Sequence, residues 1–261
     1  PVTSLKSGDE VLVKVDTSIG RHFGVAVDEF MLEKWVLLNS SLAKEAKICT
    51  SIPATNIKDL QTYIQKALSL GSEYIEIRFD YMDYKQIFKL QPLLKNYVDQ
   101  CIFTCRKADE GGLFADSEDI RIKTLEELSK QHPAYLDIEL STVEKKPEIT
   151  DNLRSNGSSI IVSWHNFSET PSLDKLQSIY SRAQNLGDIS KIITFAKTFE
   201  DNTTVLSLVK SAKKNKLVSF CMGELGLLSR TLSVFMGSPF TYASLGKNKT
   251  ASGQISIKEL K

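Results

Sequence analysis

Short, nearly uninterrupted apolar runs alternate along the chain with longer segments in which apolar residues recur every three or four positions. The runs are KICTSIP (47–53), YIEIRF (74–79), QCIFTCR (100–106), AYLDIEL (134–140), SIIVSW (159–164), SKIITFA (190–196), KLVSFCM (216–222) and FTYASL (240–245). Their length and β-branched content predict buried strands. NIKDLQTYIQKALSLG (56–71), IRIKTLEELSKQ (120–131) and SLDKLQSIYSRAQNLG (172–187) place apolar residues at i, i+3 and i+4, and predict amphipathic helices. Eight strands separated by helices argue for parallel βαβ units, and eight is the number that closes a TIM (β/α)8 barrel. An open doubly wound nucleotide-binding sheet would carry a glycine-rich first turn, whereas SIPATN follows the first strand here.

Residues 1–46 precede the barrel as an N-terminal extension, leaving 47–261 as the barrel domain. EVLVKVD (10–16) and HFGVAVD (22–28), joined by an SIGR turn, predict a β-hairpin. DEFMLEKWVLLNSSLAKEA (28–46) then becomes amphipathic, with Met31, Trp35 and Leu38 at i, i+4 and i+7 on one helical face. The hairpin could plug the bottom of the barrel. A helix over 28–39, anchored by Trp35, could instead stand beside the barrel for the part of the eighth helix that ISIKELK does not supply.

Charge narrows the partners. Thirty-three Lys and Arg against thirty-two Asp and Glu leave a formal net charge of +1, so no overall field draws the chain to nucleic acid or an anionic membrane. A small molecule is the expected partner. No apolar stretch reaches the roughly 18 residues of a spanning helix, and PVTSLKSGDEV lacks the profile of a secretion signal. Cys49, Cys101, Cys105 and Cys221 lie in or beside apolar runs. In a strand, Cys101 and Cys105 would stand roughly 13 Å apart, too far for a disulfide. Reduced thiols and a cytoplasmic location are expected.

Candidate chemistry collects where a TIM barrel keeps it, at the C-terminal ends of the strands. Those ends carry Glu76, Arg78 and Asp80, then Arg106 and Glu110, then Asp137 and Glu139, with His165 closing the fifth run and Lys191 opening the sixth. Charged residues avoid burial unless paired or functional, so this ring is a site hypothesis. In SIIVSWHNFSETP, His165 has the place of a general acid and base, and Glu110 is a carboxylate able to orient it. His22 and His132 read as solvated. Alternation puts Lys191 and Lys197 on the same face of the sixth strand, and the pattern alone does not choose between them. A lysine desolvated in an apolar cavity there would be a nucleophile for a carbonyl. Arg78, Arg106 and Arg230 could pair with Glu76 and Asp80, or converge on a carboxylate or phosphate. LGKNKTASGQ (245–254) is a solvated loop or a lid over the ring.

The motifs EIRFD (76–80), FTCRKADEGG (103–112), DIEL (137–140), SWHNFSETP (163–171), SKII (190–193), LGLLSR (225–230) and TASGQ (250–254) together resemble the type I 3-dehydroquinate dehydratases of the shikimate pathway. The resemblance covers roughly 47–261. It implies a hydro-lyase that converts 3-dehydroquinate into 3-dehydroshikimate through a lysine imine, with no metal or organic cofactor. It implies Lys191 as the imine-forming lysine, His165 as general base and acid, and Glu110 as its orienter. It further implies Glu76, Arg78 and Arg106 around the substrate hydroxyls, Arg230 on the carboxylate, Phe167 and Met222 as apolar walls, and Thr250 and Gln254 in the lid. Thr250 stands where a serine is usual, and Ser252 where proline is frequent. A homodimer would be usual for the resemblance. The rival readings are a class I aldolase, which would add a phosphate site near the last strands, and a non-catalytic barrel.

Overall fold

A computed structural model describes residues 47–53, 55–246 and 253–260. Within these lie eight strands: β1 (Lys47–Pro53), β2 (Tyr74–Arg78), β3 (Cys101–Thr104), β4 (Tyr135–Glu139), β5 (Ser159–His165), β6 (Ile189–Phe195), β7 (Leu217–Met222) and β8 (Phe240–Ser244). Each limit falls within two residues of the apolar run that predicted it. Every hydrogen-bonded pair is parallel, and the sheet runs in chain order from β7 back to β1 and then to β8. β7 and β8 are the two ends of this order. Across their seam the rings of Phe220 and Tyr242 stand 6.1 Å apart, so aromatic packing brings the barrel nearly to closure.

The helices are α1 (Ile57–Ser69), α2 (Tyr84–Ile87), α3 (Gln91–Leu94), α4 (Glu118–Ser129), α5 (Leu140–Lys145), α6 (Glu148–Ser155), α7 (Leu173–Ala183), α8 (Glu200–Ser211), α9 (Leu227–Leu232) and α10 (Ile257–Leu260). α1 shows why the pattern was readable. The Asn56 side chain accepts from the Asp59 N–H at 2.9 Å, and Leu60, Ile64 and Ala67 form the buried stripe. Gly71, at φ 84°, takes the left-handed turn that ends it, and Ser72 N–H returns to the Ala67 carbonyl. α4 starts two residues earlier than expected because Ser117 caps it through the Ile120 N–H. Pro147 separates α5 from α6.

Two apolar layers result. The larger lies between sheet and helices, and includes Ile52, Ile64, Ile77, Leu125 and Val162. The smaller fills the barrel from within: Cys49, Ile102, Ile161, Ile189 and Val218, over a floor of Tyr74, Tyr135 and Phe240. In that floor the Tyr74 ring lies 5.3 Å from Phe240 and 5.8 Å from Tyr135. The four cysteines are buried and free. His132 is exposed and meets the Asn156 carbonyl oxygen. Among the described residues, no helix is long and apolar enough to cross a membrane. The expected hairpin and helix of 1–46, with His22, and lid residues 247–252, with Thr250, lie outside the described residues.

Candidate active site

Strict alternation along parallel strands stacks the inward residues in layers. Above the apolar filling, inward parity brings together Ser51, Glu76, Thr104, Asp137, Ser163, Lys191 and Tyr242, with Arg78, Glu139 and His165 two residues further along their strands and Arg106 just past β3. The register pairs Ser51 with Glu76, and Ser163 with Lys191.

Lys191 is 5% exposed, and its Nζ donates to Glu76 Oε1 and Asp137 Oδ2, both at 3.0 Å. The amine also stands 4.3 Å from the centre of the Tyr242 ring. This corrects the expectation of a largely apolar cavity around it: β7 presents Val218 and Phe220, but β5 adds Ser163 and His165, and β2 and β4 deliver two carboxylates. Lys197 falls beyond the end of β6, with its side chain 61% exposed, so geometry separates the two lysines that the pattern left equal.

The carboxylates are held in turn. Glu76 accepts from Ser51 Oγ at 2.5 Å and from Thr104 Oγ1 at 3.1 Å. Burial alone would raise its pKa, but Lys191 and Arg78 hold it below the ordinary value. Asp137 accepts from Ser163 Oγ at 2.6 Å and from Arg106 Nη2 at 2.7 Å. Against the same burial, Arg106 and Lys191 hold its carboxyl well below the usual range. Arg106 reaches further, to Glu139 at 3.0 Å and Ser163 at 2.6 Å.

The three arginines border one cavity but differ in their partners, and only Arg78 takes one of the two carboxylates expected for them. Arg78 is locked onto Asp80 by two bonds of 2.8 and 2.7 Å, and Asp80 also accepts the backbone N–H groups of Arg106 and Leu113. Arg106 pairs with Asp137 and Glu139, not with Glu76 or Asp80. Arg230, 1% exposed, has no carboxylate partner among the described residues. Its Nη1 reaches the Tyr242 carbonyl at 3.4 Å, its Nε and Nη2 have no hydrogen-bond partner, and its guanidinium rests 4.2 Å above the Phe220 ring. Burial brings its pKa down to about 10. A buried cation with an unused fork is a receptor for an anion.

His165 Nδ1 lies 3.2 Å from Glu110 Oε2, while Glu110 Oε1 accepts from Ser141 Oγ at 3.2 Å. Burial acts on both in the sense that favours uncharged forms: Glu110 is raised to about 7, and His165 is lowered well below its usual value, helped by Arg106 and Lys191. Phe167 stacks on His165 with the ring planes 20° apart. The position of Phe167 demands glycine at 111, where φ is 77° and a Cβ would stand 2.2 Å from the ring.

Glu76, Arg78, Arg106, Glu110, His165 and Lys191 border one cavity of about 500 Å3, open mouth included, and Phe167, Met222, Arg230, Tyr242 and Gln254 border the same space. Gln254 is 2% exposed, and its Nε2 donates to the Ala243 carbonyl at 3.1 Å. Of the expected site residues, all but Thr250 thus meet in the described structure. Sequence reasoning missed Ser51, Thr104, Ser163 and Tyr242, although each occupies the inward parity of its strand and was findable on that ground. Among the described residues, no cluster of three His, Cys, Asp or Glu is arranged to hold a metal ion.

A parallel eight-stranded barrel whose C-terminal mouth holds a buried amine, an imidazole and an unpaired guanidinium has the form of a TIM-barrel enzyme. The model of the type I 3-dehydroquinase family matches residues 48–261, and the chain belongs to that family. It is a hydro-lyase that dehydrates 3-dehydroquinate to 3-dehydroshikimate in the shikimate pathway, and type I enzymes work through a Schiff base. This sets aside the aldolase and the non-catalytic barrel. A 3-dehydroquinate dehydratase of Desulfotalea psychrophila is 35% identical over 221 residues, covering 82% of this chain and 95% of its own. One from Dehalococcoides mccartyi is 39% identical over 194 residues, covering 74% of this chain and 85% of its own. The solved type I enzyme of Clostridium difficile, with covalently modified comenic acid, superposes with a TM-score of 0.74 at 26% identity, covering 83% of this chain and 89% of its own. Separately, the model of the 3-dehydroquinate synthase II C-terminal domain matches residues 1–34.

The charge layer makes a stability prediction. Arg106→Met leaves Asp137 and Glu139 buried with one cation fewer, at an expected cost of about 3–5 kcal/mol at neutral pH. In the wild type, Asp137 has a depressed folded-state pKa, so its stabilisation is present above the unfolded value and lost as pH falls. In the variant, Asp137 loses its largest counter-charge and burial raises its carboxyl, so the deficit should be smaller at pH 5 than at pH 8. Thermal melts at the two pH values check the sign.

Proposed function

We propose that Lys191 forms the imine, His165 moves the protons, and Glu110 orients His165, with Arg230 gripping the substrate carboxylate. The observation that carries this reading is the burial of the Lys191 amine in the same cavity as His165 and the open fork of Arg230. A ketone stabilises the neighbouring carbanion poorly, whereas a protonated imine is an electron sink. Glu76 and Asp137, which flank Nζ, would stabilise the iminium cation once it forms. His165, kept neutral by burial, can then take the proton next to the iminium carbon and return one to the departing hydroxyl. Water finally hydrolyses the imine, releasing product and lysine. Glu76, Arg78 and Arg106 present donors and acceptors to the ring hydroxyls, Phe167 and Met222 bound the apolar side, and Gln254 borders the mouth.

A second reading concerns residues 1–34. Their similarity to the synthase II C-terminal domain supports a chain in which an enzyme that makes 3-dehydroquinate is continuous with the one that consumes it. In lysate of the source cells, an antibody to the barrel should detect a product well above the 29.2 kDa of this sequence. A band at that mass alone would refute the reading.

Borohydride added with substrate should trap one adduct on Lys191, identified by peptide mass spectrometry. An adduct on Lys197, or none, would overturn the assignment. The pH profile tests the orienter. Below about 7 Glu110 is protonated and cannot balance the charge that His165 acquires, so kcat/KM should fall below that pH and level off above it. Glu110→Gln should remove the inflection and lower the plateau, and a flat wild-type profile from pH 5 to 9 would remove the role.

A further inference from the structure

Arg121 belongs to α4, in the helical layer outside the sheet, yet it is 1% exposed and among the largest fully buried side chains. Its Nε and Nη2 fork onto the two oxygens of Glu118, each at 2.7 Å, and Nη2 also donates to Thr142 Oγ1 at 2.9 Å. Nη1 donates to the Cys105 carbonyl at 2.8 Å and stands 2.7 Å from Glu139 Oε2, an ionic contact to an oxygen that takes no hydrogen bond. The other Glu139 oxygen takes Arg106 Nη1 at 3.0 Å and the Lys107 N–H at 3.2 Å. Arg106 in turn holds Asp137 at 2.7 Å, and Asp137 takes the Lys191 amine at 3.0 Å. Ionic contact is thus continuous from the helix surface to the amine: Glu118, Arg121, Glu139, Arg106, Asp137, Lys191.

We propose that Arg121 is a positioning residue of the dehydration, which fixes Glu139 so that Arg106 stays centred on Asp137 and Ser163 and Asp137 stays presented to Lys191. Without Arg121, Glu139 carries an unbalanced buried charge and draws Arg106 toward itself. Asp137 then loses a cation and binds Lys191 more tightly as ammonium, which slows attack on the ketone. Arg230 lies outside this chain of contacts, so its grip on the substrate carboxylate is kept and only the contact of Arg106 with the ring hydroxyls shifts. The inference rests on Lys191 being the imine-forming residue.

The test uses the full chain as wild type, Arg121→Met, Arg121→Lys and Glu118→Ala. Borohydride trapping with 3-dehydroquinate is followed by intact mass per folded chain, alongside kcat, KM and melting temperature. Arg121→Met should slow imine formation roughly ten- to hundred-fold, with KM changed by less than about threefold, since small misplacements of reacting groups act on rate. Arg121→Lys should recover most of that loss. Glu118→Ala removes the half-exposed end of the fork, and should slow imine formation by roughly two- to fivefold at an unchanged melting temperature. Should Arg121→Met fail to fold, the other two variants decide. Trapping at the wild-type rate in every folded variant, or a loss that matches the unfolded fraction, would make Arg121 structural and end the proposal. Failure of the wild type itself to trap at Lys191 would instead end the reading beneath it.

Discussion

The ammonium of Lys191 between Glu76 and Asp137 is the constraint from which the interior of this barrel follows. One amine facing two buried carboxylates is a net negative centre, and a low-dielectric interior does not tolerate it unrelieved. Arg106 supplies the second cation, which brings in Glu139, which brings in Arg121. Arg78 and Asp80 close their own account beside it with paired bonds, and Asp80 goes on to hold the backbone of the loop after β3. Serine and threonine hydroxyls take the remaining lone pairs. The residues next to the amine are thus set by electroneutrality as much as by the shape of the substrate.

Two groups escape that pairing, and both face the open cavity. Arg230 keeps an unused fork, and the His165–Glu110 pair is biased by burial toward carrying no charge. A fully neutralised cluster would be a structural core. On the proposed mechanism, the neutralised part would lie beneath the reacting carbonyl, while the unsatisfied parts would meet the anionic substrate and the mobile proton.

The strands were legible because burial on both faces of a parallel sheet writes itself as continuous apolar runs. The helical patterns of α1, α4 and α7 were legible for the complementary reason. α2 and α3 were not, since YMDYKQIFKLQPLLKNYVDQ keeps no period for more than a turn and carries Pro92. The identity of most site residues was also readable, from their place at strand ends and from the resemblance of seven motifs to one family. Their pairing was not, apart from Arg78 with Asp80. Lys191 meets Glu76 and Asp137 across 115 and 54 residues of chain, and only the barrel's stagger decides which inward carboxylate reaches which cation. Arg121 illustrates the limit: in DIRIKTLEEL it resembles any solvent-facing arginine of an amphipathic helix.

The aromatic floor of Tyr74, Tyr135 and Phe240 has a consequence for traffic. With the lower end of the barrel filled by rings, the described residues leave the vessel open at the strands' C-terminal ends. Substrate and product would pass through that opening. On the proposed mechanism, the molecule of water expelled from the substrate is already inside when the imine needs hydrolysis, so release of the lysine need not wait for solvent to enter.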